Sequence, residues 1–282
     1  MSFGGPESIQ PVRDASLRAA ARALARLDRH VLRAISAFRS LTGGILHGAC
    51  TPAEAARLTI ALFDHSLARS DPERGLFDWE RSWYAAVLPP APARVLVTAA
   101  GAGREAIVLE RQGYAVDALE PSSRGAAECA RRLAPTSLVT AASYQDVARS
   151  ILDGHLNSCA TIARQTYDAI VLGWTSLTNV LVPTDRERLL MACDRICPSG
   201  PILASYWVGG VSPSRAGRLG RRIGEFLRRR GAPRLAPGVE FVPHAGFVVR
   251  IDERELAQVA GRLGRRFERA ASAPFAHGTF VK

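Results

Sequence analysis

The residues with the clearest chemical potential lie in one run, Arg94 to Glu120, RVLVTAAGAGREAIVLERQGYAVDALE. Gly101 and Gly103 allow a sharp turn and let backbone come close to a ligand. The helix expected to follow them starts with unpaired N–H groups that face the same space. Glu120 ends the next apolar run, at the roughly 20-residue spacing that suits an acid accepting hydrogen bonds from a ribose diol. Strand, glycine turn, helix, strand and terminal acid together make the first half of a nucleotide-binding α/β sheet. The same letters also describe an ordinary glycine-rich turn between two strands, so the elements around them have to decide.

Those elements alternate. Val95-Leu96-Val97 reads as a strand buried on both faces, followed by a helix through Ala106 and Leu109 and a strand from Tyr114 to Leu119. Ser122 to Leu133 is a helix, Ser137 to Ala142 a third strand, and Gln145 to Leu152 a helix that gives way to a loop. Tyr167 to Leu172 is a fourth strand, with the loop Gly173-Trp174-Thr175-Ser176-Leu177-Thr178-Asn179 at its tip. A helix capped near Thr184 runs to Ile196, and Pro201 to Trp207 is a fifth strand. This rhythm predicts a parallel sheet with helices on both faces. An insert at about 208–251 interrupts it with a basic amphipathic helix, Pro213 to Arg230, and a hairpin of Val239–Val242 and Phe247–Ile251. A helix from Asp252 to Leu263 and two strands, Phe267–Ser272 and Gly278–Val281, close the chain.

Upstream, Leu17, Ala21, Leu24, Val31, Ile35 and Phe38 recur at helical steps, with Arg18, Arg22, Arg26, Arg29 and Arg33 on the other face. Thr42-Gly43-Gly44 is expected to break that helix. Thr51-Pro52-Ala53-Glu54 starts another, and Leu76 to Leu88 carries an aromatic cluster of Phe77, Trp79, Trp83 and Tyr84. Pro89 to Pro92 reads as a stiff joint, dividing a helical region (1–90) from an α/β domain (91–282).

The chain has 282 residues, 47% of them hydrophobic and 22% charged, as in a globular protein with a full core. No apolar run approaches the roughly 20 residues that span a bilayer, and the start carries no secretory pattern. Cys50, Cys129, Cys159, Cys193 and Cys197 form no metal-binding spacing, and the expected compartment is a reducing cytoplasm. The net charge of +11 is almost all arginine, Lys282 being the one lysine. Such a charge attracts anions: nucleic acid, a membrane surface or an acidic small molecule.

From Arg94 onward, about two-thirds of the chain resembles the class I S-adenosylmethionine-dependent methyltransferases. The matching stretches are VLVTAAGAGREA, the acid in DALEPS, YDAIVLGW before a capped helix, PSGPILASYW, and the RIDERELAQVAGRLG helix before two final strands. The resemblance implies a Rossmann-like, seven-stranded, mostly parallel sheet with an antiparallel last strand and S-adenosyl-L-methionine as cofactor. It implies that Ala99, Gly101 and Gly103 lie under the methionine part and that Glu120 holds the ribose. Tyr144 or the backbone near Ser143 would flank the adenine, Asp146 would accept from its amino group, and Gly173 and Trp174 would border the sulfonium. Two positions depart from the family pattern. Val97 stands where many members have an acid, and Ala99 where they have the first glycine.

Methyl transfer from a sulfonium needs chiefly near-attack alignment, and a general base only when the acceptor must lose a proton. His244 in the hairpin, Tyr206 at the end of the fifth strand and His277 are the candidate bases. The tip loop GWTSLTN lacks the (Asp/Asn)-Pro-Pro-(Tyr/Phe) of enzymes that methylate exocyclic amines of bases. The expected reaction is O- or N-methylation of a small molecule or peptide, with the N-terminal helices and the insert forming the acceptor pocket. Arginines of 215–234 point to an anionic acceptor. Two other readings stay open: an NAD-type oxidoreductase, since Gly101 to Ala106 also fits GxGxxA, and a methyltransferase-like module that binds RNA or a protein without chemistry.

Overall fold

The computed structural model describes residues 10–66, 71–208, 214–228, 230–270 and 275–282. Its centre is set by two short strands, β1 (Arg94–Thr98) and β4 (Ala169–Leu172). Val95, Leu96 and Val97 are all buried, as is every residue of β4. Successive buried residues on a strand mean that both faces of the sheet are covered. Around them lie β2 (Ala115–Glu120), β3 (Val139–Ala141) and β5 (Ile202–Tyr206), all parallel. β8 (Arg266–Arg269) and β9 (Ala276–Val281) complete a seven-stranded sheet ordered β3-β2-β1-β4-β5-β9-β8. β9 runs antiparallel to β5 and to β8, as the closing segment of the resemblance implies. β6 (Val239–Val242) and β7 (Gly246–Val249) form a hairpin outside that sheet.

From β1 the chain winds outward through β2 and β3, then returns to place β4 on the other side of β1. That reversal leaves a crevice at the carboxyl ends of β1 and β4, where ligands of open α/β sheets bind. The crossovers are α4 (Arg104–Arg111), α5 (Ser123–Ala130), α6 (Tyr144–Asp153) and α7 (Pro183–Ile196), and α9 (Glu253–Arg262) precedes β8. The expected strand Phe267–Ser272 is shorter in the structure, and its last two residues lie outside the described ones.

The chain divides into two compact units. The larger, Cys50–Val211 with Arg228–Lys282, holds the sheet, the hairpin, α2 (Pro52–Ser66) and α3 (Asp78–Val87), so the Pro89–Pro92 joint lies inside it. In this unit α3 is tied to the glycine turn. Arg104, the first residue of α4, bonds both carboxylate oxygens of the fully buried Glu80 at 2.6 and 2.7 Å.

The smaller unit, Met1–Ala49 with Ser212–Leu227, contains α1 (Gln10–Ala49) and α8 (Arg215–Leu227). Here the expected break at Thr42-Gly43-Gly44 does not occur, and α1 runs on to Ala49. The glycines serve close packing. A Cβ on Gly44 would lie 2.2 Å from the Gly217 carbonyl oxygen, and one on Gly220 2.1 Å from that of Leu41. Bare backbone on both helices permits this approach, and its packing offsets the helix cost of glycine.

Candidate functional site

The turn after β1 is built from residues that tolerate positive φ. Gly101 and Gly103 have φ of +57° and +97°, and Ala99 adopts +49°, a left-handed conformation that is uncommon for a residue with a Cβ. This geometry aims the Gly101 N–H at β2, where it donates to Glu120 Oε2 at 2.8 Å. The Ser122 N–H donates to Oε1 at 2.9 Å. Burial pushes the Glu120 carboxyl above its usual range, although these two N–H groups work the other way. A carboxylate offers about four lone-pair sites, so two remain for a ligand. The Ser122 hydroxyl also donates to Asp64 on α2.

Glu120 lines a cavity of about 250 Å³. Its floor is Ala99, Gly101 and Ala102 from the β1 turn, and Ser143, Tyr144 and Gln145 come from the tip of β3. Trp174, Ser176, Asn179 and Val180 come from the segment after β4. The opposite wall is one face of α2, carrying Ala56, Thr59, Ile60 and Phe63. α2 is held there by the hairpin: Phe247 N–H donates to Thr59 Oγ1 at 2.9 Å, and Asn179 Nδ2 donates to the carbonyls of Ala245 and Phe247 at 3.1 and 2.9 Å. Among the described lining residues none is cationic, and the ionisable ones are Glu120 and Tyr144.

No protein-family model and no curated protein matches this sequence. The structure is similar to solved S-adenosylmethionine-dependent methyltransferases. One is a sugar N-methyltransferase, KedS8, from Streptoalloteichus, at 12% identity, with 73% of this chain and 85% of that one covered and a TM-score of 0.49. A TehB-like S-adenosylmethionine-dependent methyltransferase from Corynebacterium glutamicum is 16% identical, covers 82% of this chain and 99% of its own, and gives 0.47. Magnesium protoporphyrin IX methyltransferase from Synechocystis, solved with S-adenosylmethionine bound, is 13% identical over 72% and 75% of the two chains, at 0.43. The class I methyltransferase fold is established by the strand order itself, with its antiparallel β9.

The structure brings Ala99, Gly101, Glu120, Ser143, Tyr144 and Trp174 to one cavity. Gly103 stands just behind it as the residue before α4. Gly173 joins the tips of β4 and β1, donating to Thr98 O at 2.9 Å. Asp146 is not among the lining residues. Ser143-Tyr144-Gln145-Asp146 forms a capping box in which Asp146 Oδ2 accepts from Ser143 N and Oγ at 3.0 and 2.6 Å. Burial opposes the Asp146 charge, but Ser143 and Arg149 outweigh it and hold the carboxyl below its usual range. The Tyr144 hydroxyl lies 3.0 Å from Thr98 Oγ1 and 2.5 Å from Ser176 Oγ, and burial pushes its phenol well above the usual value.

None of the three candidate bases lines this cavity. His244 is exposed in the β6–β7 turn. Tyr206 is buried and donates to Glu253 at 3.1 Å, and burial and that carboxylate push its pKa up. His277 sits between Trp79 and Trp83, at ring distances of 4.8 and 4.5 Å. Sequence reasoning did not single out the α2 face or Asn179. The spacing of Ala56, Ile60 and Phe63 at i, i+4 and i+7 was the available signal for the first. No described helix is long and apolar enough to cross a membrane, and no His/Cys/Asp/Glu group among the described residues could hold a metal ion.

Proposed function

We propose that this chain is an S-adenosylmethionine-dependent methyltransferase acting on a small molecule. The observation that carries the reading is Glu120. It is a buried carboxylate at the switch point of the sheet, with two lone-pair sites taken by Gly101 and Ser122 and two left for a ribose diol. The donor set fits the cofactor: an acid for the ribose, a small-residue floor for the methionine part, and Tyr144 and Gln145 beside the remaining space. When bound, S-adenosylmethionine supplies a methyl group already activated on a sulfonium.

The chain's own residues then orient and enclose. Glu120 fixes the cofactor by its ribose, the α2 face and Trp174 keep water out, and Tyr144, Ser176 and Thr98 form a fixed set of hydroxyls at the strand tips. Burial keeps the Tyr144 phenol protonated at neutral pH, so it positions and does not take protons. The acceptor therefore arrives in its nucleophilic form, as a free amine or an acid ionised in solution. The uncharged wall of Ala56, Ile60, Phe63 and Val180 favours an acceptor with an apolar body. Of the arginines that pointed to an anionic acceptor, Arg215, Arg218, Arg221 and Arg222 lie on α8, in the smaller unit, and none of the described ones lines the cavity.

Isothermal titration of the folded protein with S-adenosylhomocysteine tests this directly, with NADH as the competing ligand because Gly101 to Ala106 also fits GxGxxA. Heat with the first and none with the second is expected. Heat with NADH alone, or with neither, rejects the proposal.

A further inference from the structure

The smaller unit leaves a question that the cavity does not touch. α1 is 40 residues long and α8 is 13, so at 1.5 Å per residue they extend about 60 Å and about 20 Å. α8 packs against the level of Leu41, Gly44, Ile45 and Gly48, at one end of α1. From Ala20 to Arg39 every residue of α1 is exposed. That stretch includes Leu24, Leu27, Val31, Ile35 and Phe38, and Leu17 before it is exposed too. Helices in proteins owe most of their stability to packing an apolar face, and here that face has no cover among the described residues of its own unit.

The pattern on the face says what would cover it. Leu17, Leu24, Val31 and Phe38 recur every seven residues, and so do Ala20, Leu27, Ala34 and Leu41, three places later. These are the a and d positions of a coiled-coil seam. Arg22, Arg26, Arg29, Arg33 and Arg39 fall at b, c and f, on the side away from the seam. The edges hold Ala21, Asp28 and Ile35 on one side and Ala23, His30 and Ala37 on the other.

We propose that α1 pairs with α1 of a second copy of this chain as a parallel, in-register coiled coil. The seam continues the face of α1 that α8 already covers at its end. Edge charges set partner choice in coiled coils, and these edges carry no complement for a differently charged helix. Parallel pairing sets Ala23 beside the partner's Asp28 and His30 beside the partner's Ile35, so no like charges meet. Antiparallel pairing sets the Asp28 edge against itself. From their exposures, the six large side chains offer roughly 600 Å² per copy, so a pair buries about 1,200 Å², the lower end of stable interfaces. An anionic bilayer is a poorer match. A surface helix reaches headgroups with cations beside its apolar face, and here those places hold alanine, isoleucine, aspartate and histidine.

The test is light scattering and sedimentation of the full chain, together with flotation on vesicles of phosphatidylserine and phosphatidylcholine. The expected mass is twice the 30.3 kDa of one chain. Association should strengthen with salt, because the two copies each carry +11 and salt screens their repulsion. Leu24→Glu with Val31→Glu should weaken association at least about 100-fold by placing charges in the seam, while S-adenosylhomocysteine binding stays unchanged. Ala34→Cys should cross-link to itself on oxidation, and Arg29→Cys, on the far side, should not. A monomer at the highest soluble concentration overturns the proposal, as does a double variant that still dimerises. Failure of Ala34→Cys to cross-link within a dimer refutes the parallel register. A monomer that floats with anionic vesicles, less so at high salt, assigns the face to lipid instead.

Discussion

Replacing Glu120 by glutamine separates the ligand role of this residue from its structural one. The carboxylate accepts from two backbone N–H groups and keeps two sites for a ribose. Glutamine has one acceptor oxygen and an amide that can only donate, so at least one ribose hydroxyl loses a charged acceptor. Hydrogen bonds to charged groups contribute about 1.5–3 kcal/mol, so a loss of about 2–3 kcal/mol is expected, a roughly 30- to 150-fold weaker Kd for S-adenosylhomocysteine. One of the Gly101 and Ser122 N–H groups is also left without its partner, which should lower stability by about 1–3 kcal/mol. Titration calorimetry on protein shown by melting to be folded reads the first effect, and denaturant unfolding the second. An S-adenosylhomocysteine analogue lacking ribose hydroxyls completes the cycle. It should bind the native protein more weakly but lose little further affinity in the variant. Equal affinity of native and Glu120→Gln protein for the full ligand would refute the assignment, and an additive cycle would move the ribose elsewhere.

Four further outcomes follow from the same geometry. Burial raises the Glu105 carboxyl to about 7, against the pull of Arg104 and with the push of Glu80, so the folded state holds a proton there that the unfolded chain has released above about 4.5. Stability from this group is therefore present at low pH and lost as pH rises through about 7, and Glu105→Gln should be the more stable protein at pH 8, by up to about 3 kcal/mol in urea unfolding. Thr59→Ala leaves the Phe247 N–H unpartnered between α2 and the hairpin and should cost about 1–3 kcal/mol in the same assay. Gly220→Val forces a Cβ onto the Leu41 carbonyl and should abolish amide-exchange protection of residues 215–227 while leaving cofactor binding intact. His244→Ala, exposed and away from the cavity, should leave S-adenosylhomocysteine affinity and turnover unchanged; a large loss of either would mean that the hairpin turn reaches the acceptor.

What could be read in advance was what local patterns encode. The alternation of apolar runs with capped helices carried the sheet, and the spacing of Gly101 and Glu120 carried two of the residues that line the cavity. Long-range packing was the part that local pattern hid. Gly43-Gly44 looked like a break because glycine disfavours helix, yet in the fold Gly44 is one of the small residues that let α8 approach. Asp146 looked like a ligand for the adenine, but Ser143 three residues earlier makes it a cap, and a cap uses the same oxygens. Tyr206 and His277 sit on strands whose side chains face packed neighbours, which no spacing announces. The α2 wall is assembled by a hairpin nearly 190 residues away in the chain, through Thr59 and Phe247.

The cavity walls have one more consequence. An enzyme that supplies its own base stamps that base's titration on the rate. Under the proposed reaction this one has no such signature to impose, since Tyr144 stays protonated and Glu120 is engaged with the ribose. The rise of kcat/KM with pH then belongs to the acceptor. An inflection near 8.5 would mark a thiol, and one near 10 a phenol or an alkylamine. A pH profile measured on any weakly accepted surrogate thus becomes a chemical fingerprint, by which collections of compounds can be sorted before the natural acceptor is in hand.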